Sequence, residues 1–199
     1  HNAVNGSSFW TNQSGCRIVH ERVESLEDGD DCAALAVRNA WQDKAGKVLL
    51  RDRRTMAVHP LAGKDWLLLV DVELEAVGGE VTLDKTPFGV FSVRMAKSLG
   101  VADGGGMIRN SEGGVNEKGV FWKRAKWVDY SGAIAPSVVE GITLLDHPAN
   151  PNHPSFFHVR DDGWMGASLT QDAPRTIKLG EPLRLRYGLY VHAGMPASE

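Results

Sequence analysis

Residues 146–160, DHPANPNHPSFFHVR, hold three histidines, three prolines and one arginine. An imidazole titrates near pH 6.5, so a histidine can take or give a proton at neutral pH. We therefore assign His147 as one candidate for a catalytic acid or base. Asp129 is the other candidate, and Glu73 and His192 are second choices. A carboxylate needs burial to have its pKa raised into the same range.

The prolines of this segment recur at intervals of three, at Pro148, Pro151 and Pro154. A residue before proline prefers an extended or polyproline conformation, and polyproline II has three residues per turn. The spacing predicts a stiff rim loop with one polar edge, on which side chains stand roughly 9 Å apart. That edge is formed by His147, Asn150 and His153.

Imidazoles at this separation cannot share a zinc ion, whose ligand atoms lie ~2.0–2.1 Å away. We therefore predict no metal and no other cofactor. One alternative stays open, in which a turn or a cis-proline brings His147 and His153 together. Asp146, His158 and His192 are the other potential ligands of such a site.

Residues 121–132, FWKRAKWVDYSG, mix aromatic side chains with cations and an acid. Aromatic faces cover the C–H faces of a sugar ring, while polar side chains bond its hydroxyls. We accordingly predict a sugar site, with substrate-binding candidates Lys85, Arg94, Asn110, Arg124, Trp127, Tyr130, Asn150 and Arg160. The alternative is a strand with buried aromatics and cations that reach to water. We expect residues 121–132 and 146–154 to face each other across a hollow.

Alternation with a period of two indicates the elements that must position these side chains. In residues 70–76 the even positions are apolar and the odd positions acidic, as in a strand with one buried face. Leu183, Leu185, Tyr187, Leu189 and Val191 likewise share one face of a strand. Further predicted strands are 17–23, 33–41, 48–58, 80–83, 88–95, 126–130, 138–145, 156–159, 165–169 and 176–179. The only helical signal is one turn near 96–99.

A dozen short strands separated by turn signals predict an all-β fold, an antiparallel β-sandwich. We treat residues 1–199 as a single domain. The chain has 199 residues, 42% of them apolar, and a net charge of −3. This charge predicts no nucleic-acid partner, and no apolar run approaches the ~20 residues of a membrane span. Cys16 and Cys32 are interpreted as two buried thiols.

Six motifs resemble the bacterial family named "methane oxygenase PmoA-like". They are VNGSSFW (4–10), RNSEG (109–113), KRAKWVDYSG (123–132), DHPANPNHP (146–154), HVRDDG (158–163) and LRLRYGLYVHAG (183–194). The resemblance implies a galactose-mutarotase-like supersandwich that occurs among proteins of bacterial sugar catabolism, and we expect a cytoplasmic location. The family-motif residues carried over are Lys85, Arg94, Asn110, Ser111, Arg124, Asp129, Tyr130, His147, Asn150, Arg160, Arg186 and His192.

Members of that family also carry earlier strands and a His-His motif, which this sequence lacks. The resemblance therefore implies that residues 1–199 are the C-terminal part of a longer architecture. Unpaired sheet edges would then suit a homo-oligomer or a partner chain.

Two functions follow as hypotheses. The first is an enzyme (an epimerase, lyase or hydrolase) that acts on a sugar or an oxidised sugar. The alternative is a non-catalytic carbohydrate-binding module with Trp122, Trp127 and Trp164 as its platform, or an interaction domain.

Overall fold

A computed structural model describes residues 1–195 as sixteen strands and four short helical segments. The strands are β1 (Ala3–Val4), β2 (Ser7–Ser8), β3 (Arg17–Glu27), β4 (Ala33–Gln42), β5 (Val48–Pro60), β6 (Trp66–Ala76), β7 (Val81–Leu83), β8 (Phe91–Arg94), β9 (Met107–Asn110), β10 (Lys123–Arg124), β11 (Trp127–Ala135), β12 (Val138–Asp146), β13 (Phe156–Val159), β14 (Trp164–Ser168), β15 (Arg175–Ile177) and β16 (Leu183–Ala193). The helices are α1 (Val101–Gly104), α2 (Asn116–Val120) and single 3₁₀ turns at Asn12–Ser14 and Lys97–Leu99.

The strands form three antiparallel sheets. The large sheet has eight strands in the order β3-β4-β5-β6-β16-β12-β11-β9. Two sheets of four strands have the orders β15-β7-β1-β2 and β10-β13-β14-β8. One hydrophobic core includes buried residues of all three sheets, so the two small sheets pack against one face of the large one. The predicted all-β sandwich is confirmed.

The alternation read from the sequence correctly separates core-facing from outward-facing residues. Val70, Val72 and Leu74 of β6 are buried, and Leu185 and Tyr187 of β16 pack beside them in the core. The ring of Tyr187 stacks on Phe91 of β8, which belongs to the sheet β10-β13-β14-β8. The two ring planes are 11° apart and the centroids 5.3 Å apart. Such contacts between layers hold the sandwich together.

The opposite face of the large sheet is covered with ion pairs. Arg186 of β16 donates two hydrogen bonds to Asp71 of β6, at 2.6 and 3.0 Å. Arg184 donates one hydrogen bond to Glu73, at 2.6 Å. The charges meet because β6 and β16 are neighbouring strands, and their register places Arg186 opposite Asp71 and Arg184 opposite Glu73.

The predicted strands match observed ones, with ends that differ by a few residues. Four strands were not predicted, namely β1, β2, β9 and β10, and neither were the one-turn helices α1 and α2 or the 3₁₀ turn Asn12–Ser14. The helical turn expected near 96–99 is the 3₁₀ turn Lys97–Leu99. Cys16 and Cys32 are unpaired but half-buried rather than buried. Within residues 1–195, no helix has the length and apolar character that a membrane crossing requires.

Candidate functional site

The proline-rich segment 146–154 folds as turns, which corrects the expected polyproline ribbon. The Asn150 amide N–H donates to the His147 carbonyl at 2.9 Å, and the His153 N–H donates to the Asn150 carbonyl at 3.2 Å. Polyproline II has no internal hydrogen bonds. His147, Asn150 and His153 therefore do not line one edge of a straight strip.

The segment closes around the buried carboxylate of Asp146. Asp146 Oδ1 accepts from Asn150 Nδ2 at 2.8 Å, and Oδ2 contacts His153 Nδ1 and accepts from the Ser155 N–H, both at 2.8 Å. Asn150 Nδ2 also donates to the Arg186 carbonyl at 2.7 Å, and Asn150 Oδ1 accepts from the Arg186 N–H at 2.7 Å. Both N–H donors of Asn150 are therefore committed to the fold, and the structure gives it a structural role.

The two candidate catalytic residues lie apart. Asp129 of β11 is opposite Thr143 in the register of β12, whereas His147 follows the end of that strand. Four residues of extended chain separate Thr143 from His147, which is about 13 Å at ~3.3 Å per residue. The half-buried His147 uses Nδ1 to accept the Ala149 N–H at 3.1 Å. Asp129 and His147 therefore do not form one catalytic pair.

Asp129 is instead paired with His192, a second-choice candidate. Asp129 Oδ2 lies 2.8 Å from His192 Nε2 and accepts from Thr143 Oγ1 at 3.0 Å. Ser131 Oγ donates to Asp129 Oδ1 at 2.7 Å. All four side chains are buried. Ser131 therefore faces the carboxylate and not the imidazole, so the group lacks the serine–histidine contact of a nucleophilic triad.

Both ring nitrogens of His192 face acceptors, because Nδ1 lies 3.0 Å from the Gly194 carbonyl. A neutral imidazole has only one N–H, so the imidazolium form suits this geometry best. The hydrogen bond to Asp129 is the main cause that raises the pKa of His192, against the opposing effect of burial. We interpret the Asp129–His192 pair as a buried interaction that links strand β11 to strand β16.

Other predicted ligand residues are also committed to structure. The Tyr130 hydroxyl donates to the Asp161 carbonyl at 3.0 Å and accepts the Val101 N–H at 3.0 Å. Asn110 Oδ1 accepts the backbone N–H of Gly114 at 2.7 Å and so closes a turn. Lys85 is exposed. Trp127 lies on the outer face of the large sheet, opposite Leu145.

Residues 121–132 and 146–154 touch directly and are not separated by the expected hollow. Arg124 Nη1 donates to the carbonyls of Asn152 and Pro154, at 2.8 and 2.7 Å. The Asp146 N–H donates to the Lys126 carbonyl at 2.9 Å. Arg124 also binds Asp172 at 2.9 Å. These bonds fill the space where a shared sugar site was predicted, and they give Arg124 a structural role.

Aromatic rings converge elsewhere, on the outer face of the sheet β10-β13-β14-β8. We call this group the aromatic site; it consists of Trp10, Phe88, Phe121, Trp122, His158 and Trp164. Trp10 stacks on Phe88 with centroids 4.4 Å apart, and Phe121 stacks on Trp122 at 4.6 Å. The His158 ring lies 5.2 Å from both Phe88 and Phe121. The imidazole therefore contacts both stacked pairs.

Strand alternation places His158 on this outer face. Its neighbours Phe157 and Val159 are buried in the core, so His158 must point away from the core. It is opposite Gly166 of β14 in the register. A Cβ at Gly166 would lie 2.9 Å from Ser92 Cβ, so the absence of a side chain lets β8 and β14 pair closely beside the imidazole.

Phe88 reaches the site because residues 84–90 lie against β14. Gly89 allows this close approach, since a Cβ there would lie 1.6 Å from the Ala167 carbonyl oxygen. Two hydroxyls fasten the loop: Ser168 Oγ donates to the Pro87 carbonyl at 2.5 Å, and Thr170 Oγ1 donates to the Asp84 carbonyl at 2.9 Å.

Helix α2 positions the second aromatic pair. The Glu117 N–H donates to Asp161 Oδ1 at 3.0 Å, and the Asp161 N–H donates to Glu117 Oε2 at 2.9 Å. Just after the helix, Trp122 adopts φ of 56°, a backbone region that bulky residues rarely occupy. The backbone N–H of Trp122 donates to the Phe157 carbonyl at 2.8 Å. This backbone geometry leaves the indole 48% exposed.

Two arginines lie over the rings at the edge of the site. The Arg94 guanidinium is 5.2 Å from the centroid of Trp164, and that of Arg160 is 5.5 Å from Phe121. Arg94 pairs with Asp162 at 3.0 Å and Arg160 with Glu117 at 3.2 Å. Both arginines at the edge of the aromatic site are thus paired with carboxylates.

The pKa of His158 lies below its usual value. Burial is the main cause that lowers the pKa of His158, and the nearby charge of Arg160 lowers it further. The side chain is buried, and Nδ1 has no hydrogen-bond partner. Nδ1 is itself closed to solvent, so a ligand on the surface of the aromatic site does not reach this atom.

Sequence reasoning identified part of this site. Arg94 and Arg160 were among the ligand candidates, and Trp122 and Trp164 belonged to the alternative platform. Trp10, Phe88, Phe121 and His158 were missed as site residues. The sequence signal that could have found His158 is the alternation of side chains along β13. This alternation places His158 and Arg160 on the same face. Among residues 1–195, no group of three or more histidine, cysteine, aspartate or glutamate side chains has the arrangement of a metal site.

Comparison with known proteins gives a family and no activity. No curated protein matches the chain. One family model matches residues 1–199, the whole of the sequence, and its description is "Family of unknown function (DUF6807)". The chain belongs to this family, DUF6807.

Proposed function

We propose that the protein binds a carbohydrate at the aromatic site. The observation that carries this proposal is the presence of two exposed indoles in one cluster of aromatic rings. Trp10 and Trp122 are 47% and 48% exposed and lie at the two ends of the ring cluster. Aromatic faces of this kind cover sugar C–H groups, while a few polar atoms fix the orientation of the ligand.

The proposal keeps the wider expectations drawn from sequence. A galactose-mutarotase-like sandwich, a relationship to the PmoA-like family and a role in bacterial sugar catabolism are parts of it. We also propose a cytoplasmic location, in line with the two unpaired cysteines. A homo-oligomer or a partner chain at the sheet edges belongs to the same proposal, and light scattering of the purified protein tests it.

Exchange of an exposed tryptophan tests the binding function. We expect Trp122→Ala to weaken saccharide binding at least about tenfold, or ~1.4 kcal/mol, because the ring offers stacking area that alanine lacks. Isothermal titration calorimetry against a panel of mono- and oligosaccharides measures the affinity. Trp66→Ala is the matched control, because Trp66 is also exposed but lies on β6 of the large sheet. Equal affinities of the two variants would argue against the site.

A sugar-converting enzyme is the second candidate function. The observation in its favour is the imidazole of His158 among the rings of the aromatic site, since a histidine can act as a general base. Proton NMR of saccharide mixtures incubated with the protein detects conversion directly. His147→Ala should leave both binding and any turnover unchanged, because the His147 imidazole caps its own turn. Lost activity in this variant would return His147 to the mechanism.

A further inference from the structure

We propose that one end of the large sheet docks an apolar segment of a partner protein, a segment that also carries lysine or arginine. The docking surface lies on the inner face of the sheet, which is the face that the two small sheets cover elsewhere. It is separate from the aromatic site, which lies on the sheet β10-β13-β14-β8, and does not depend on carbohydrate binding. We call this surface the apolar face; it consists of Leu26, Leu35, Met56, Val58, Pro60 and Trp66.

Strand register shows that the apolar face continues the hydrophobic core. One row across the sheet runs from Val70 of β6 through Met56 and Leu35 to Leu26 of β3. Paired residues of one row point to the same side of a sheet. Val70 is buried in the core, and Met56 and Leu35 are half-buried. Leu26 is 77% exposed. The cover that residues 1–195 provide thus ends before the sheet does.

The two faces of these strands differ in chemistry. On the outer face, Glu24 binds Arg38 at 2.8 Å and Arg53 at 2.7 Å. On the inner face, Val23 and Val58 are both exposed, and Val58 is opposite Leu68 in the register. A contiguous apolar surface that is open to water typically marks an interaction site. The inner face is therefore the side on which a partner is expected.

A hollow at one end of the apolar face offers room for an anchor side chain of the partner. Its volume is about 430 Å³, and the β5–β6 hairpin forms it, with Val58, Pro60, Leu61 and Trp66 as its apolar lining. Leu61 and Trp66 are partly open to solvent. Docked segments commonly insert a large apolar side chain into a pocket of this kind. The hollow therefore favours a segment with at least one bulky apolar residue.

The charge beside the apolar face determines which charge the partner carries. The turn between β3 and β4, residues 27–31, has the sequence EDGDD, with four carboxylates in five residues. None of the four forms an ion pair within residues 1–195. The turn directly follows Leu26, and Ala33 after it is opposite Val58, so the acids lie at the same end of the sheet as the hollow. Lys64 beside the hollow offsets only one of these charges. A cationic segment reduces the repulsion among the carboxylates.

Other occupants match this charge less well. A second copy of the chain would bring an identical acidic turn to the contact, so like charges would meet. An anionic lipid surface would meet the same repulsion. A basic and apolar protein segment satisfies both the exposed side chains and the carboxylates.

A set of four synthetic peptides of equal length tests the proposal. The peptides combine either leucine and phenylalanine or serine at the anchor positions with either lysine or glutamate at the flanks. Fluorescence anisotropy measures their affinity for the whole chain. We expect the apolar lysine peptide to bind at least about tenfold more tightly than each of the other three, and added salt to weaken its binding. An apolar glutamate peptide that binds as well, or no binding of the apolar lysine peptide, would overturn the proposal.

Substitutions at exposed positions locate the bound peptide. We expect Leu26→Ser, and separately the double substitution Asp30→Asn with Asp31→Asn, to lower the affinity at least about fivefold. All three side chains are exposed, so the fold should persist, and far-ultraviolet circular dichroism verifies it. Leu179→Ser is the control for the apolar change, because Leu179 is 63% exposed but follows β15 of another sheet. Glu140→Gln on β12 is the control for the charge change. Equal losses in the variants and their controls would show that the peptide binds elsewhere.

Sedimentation of the whole chain without peptide identifies a second copy as the occupant if that is the case. We expect the chain and Leu26→Ser to have the same mass in solution. A dimer that Leu26→Ser dissociates would show that a second copy covers the apolar face, and the proposal would be wrong. Saccharide binding should be unchanged in Leu26→Ser, because the aromatic site lies on a different sheet.

Discussion

At the scale of single residues, one buried carboxylate accounts for the unusual composition of residues 146–154. Asp146 is almost inaccessible to solvent and accepts hydrogen bonds from its own loop. Burying a carboxylate is costly unless it is hydrogen-bonded. Asn150 and His153 therefore serve as hydrogen-bond donors to Asp146. The prolines stiffen the loop that carries these two residues.

Asn150 is the residue where this interpretation is most easily tested. We expect Asn150→Ala to lower the free energy of unfolding by about 2–3 kcal/mol, because it leaves Asp146 Oδ1 and two backbone groups of Arg186 without partners. Urea denaturation followed by circular dichroism measures the change. Ala149→Ser is the control, since Ala149 is exposed on the same loop. A loss below 0.5 kcal/mol in Asn150→Ala would contradict the structural role.

At the scale of elements, strand alternation determines which way a side chain points but not whether it is exposed. His192 lies on the polar face of β16 and is nevertheless buried. Gly141 of β12 makes room for it, because a Cβ there would lie 2.7 Å from His192 Cε1. The glycine in β12 thus allows the His192 side chain to be buried beside Asp129, although its strand position faces outward.

The Asp129–His192 interaction should make the stability of the protein depend on pH. The pKa of His192 is raised in the folded protein, chiefly by its hydrogen bond with Asp129. A group whose pKa is raised on folding stabilises the folded state fully below its unfolded pKa, about 6.5. That contribution is lost as the pH rises through the folded pKa.

The comparison that isolates this effect is between the unchanged chain and His192→Gln. We expect the difference in unfolding free energy between them to be largest near pH 6 and to shrink as the pH rises through the raised pKa. Chemical denaturation at several pH values measures both chains. A difference that is constant or grows with pH would show that the imidazolium does not contribute.

At the scale of the whole molecule, the aromatic site exists because distant segments meet on one small sheet. Its rings come from positions 10, 88, 121, 122, 158 and 164, and the core beneath joins all three sheets. The site therefore depends on the complete sandwich and not on one loop.

We accordingly expect residues 1–199 to unfold as one domain. Tryptophan fluorescence, which reports on the aromatic site among other positions, and far-ultraviolet circular dichroism should give coincident urea transitions. The shared core makes separate melting of the sheets unfavourable. Two resolved transitions, or fluorescence that changes well before circular dichroism, would show that the small sheets form an independent unit.

The sequence by itself determined the all-β class, the position of most strands and the face on which each strand residue lies. These features depend on alternation and turn chemistry, which act between residues close together in the chain. Only the tertiary structure decided which outward-facing residues meet. It joined Asp129 to His192 and not to His147, folded Asn150 onto Arg186 and gathered Trp10 and Phe88 around His158. The reason is that strand pairing and close backbone contacts, such as Gly89 on Ala167, bring together residues far apart in sequence, and a local pattern carries no record of those partners.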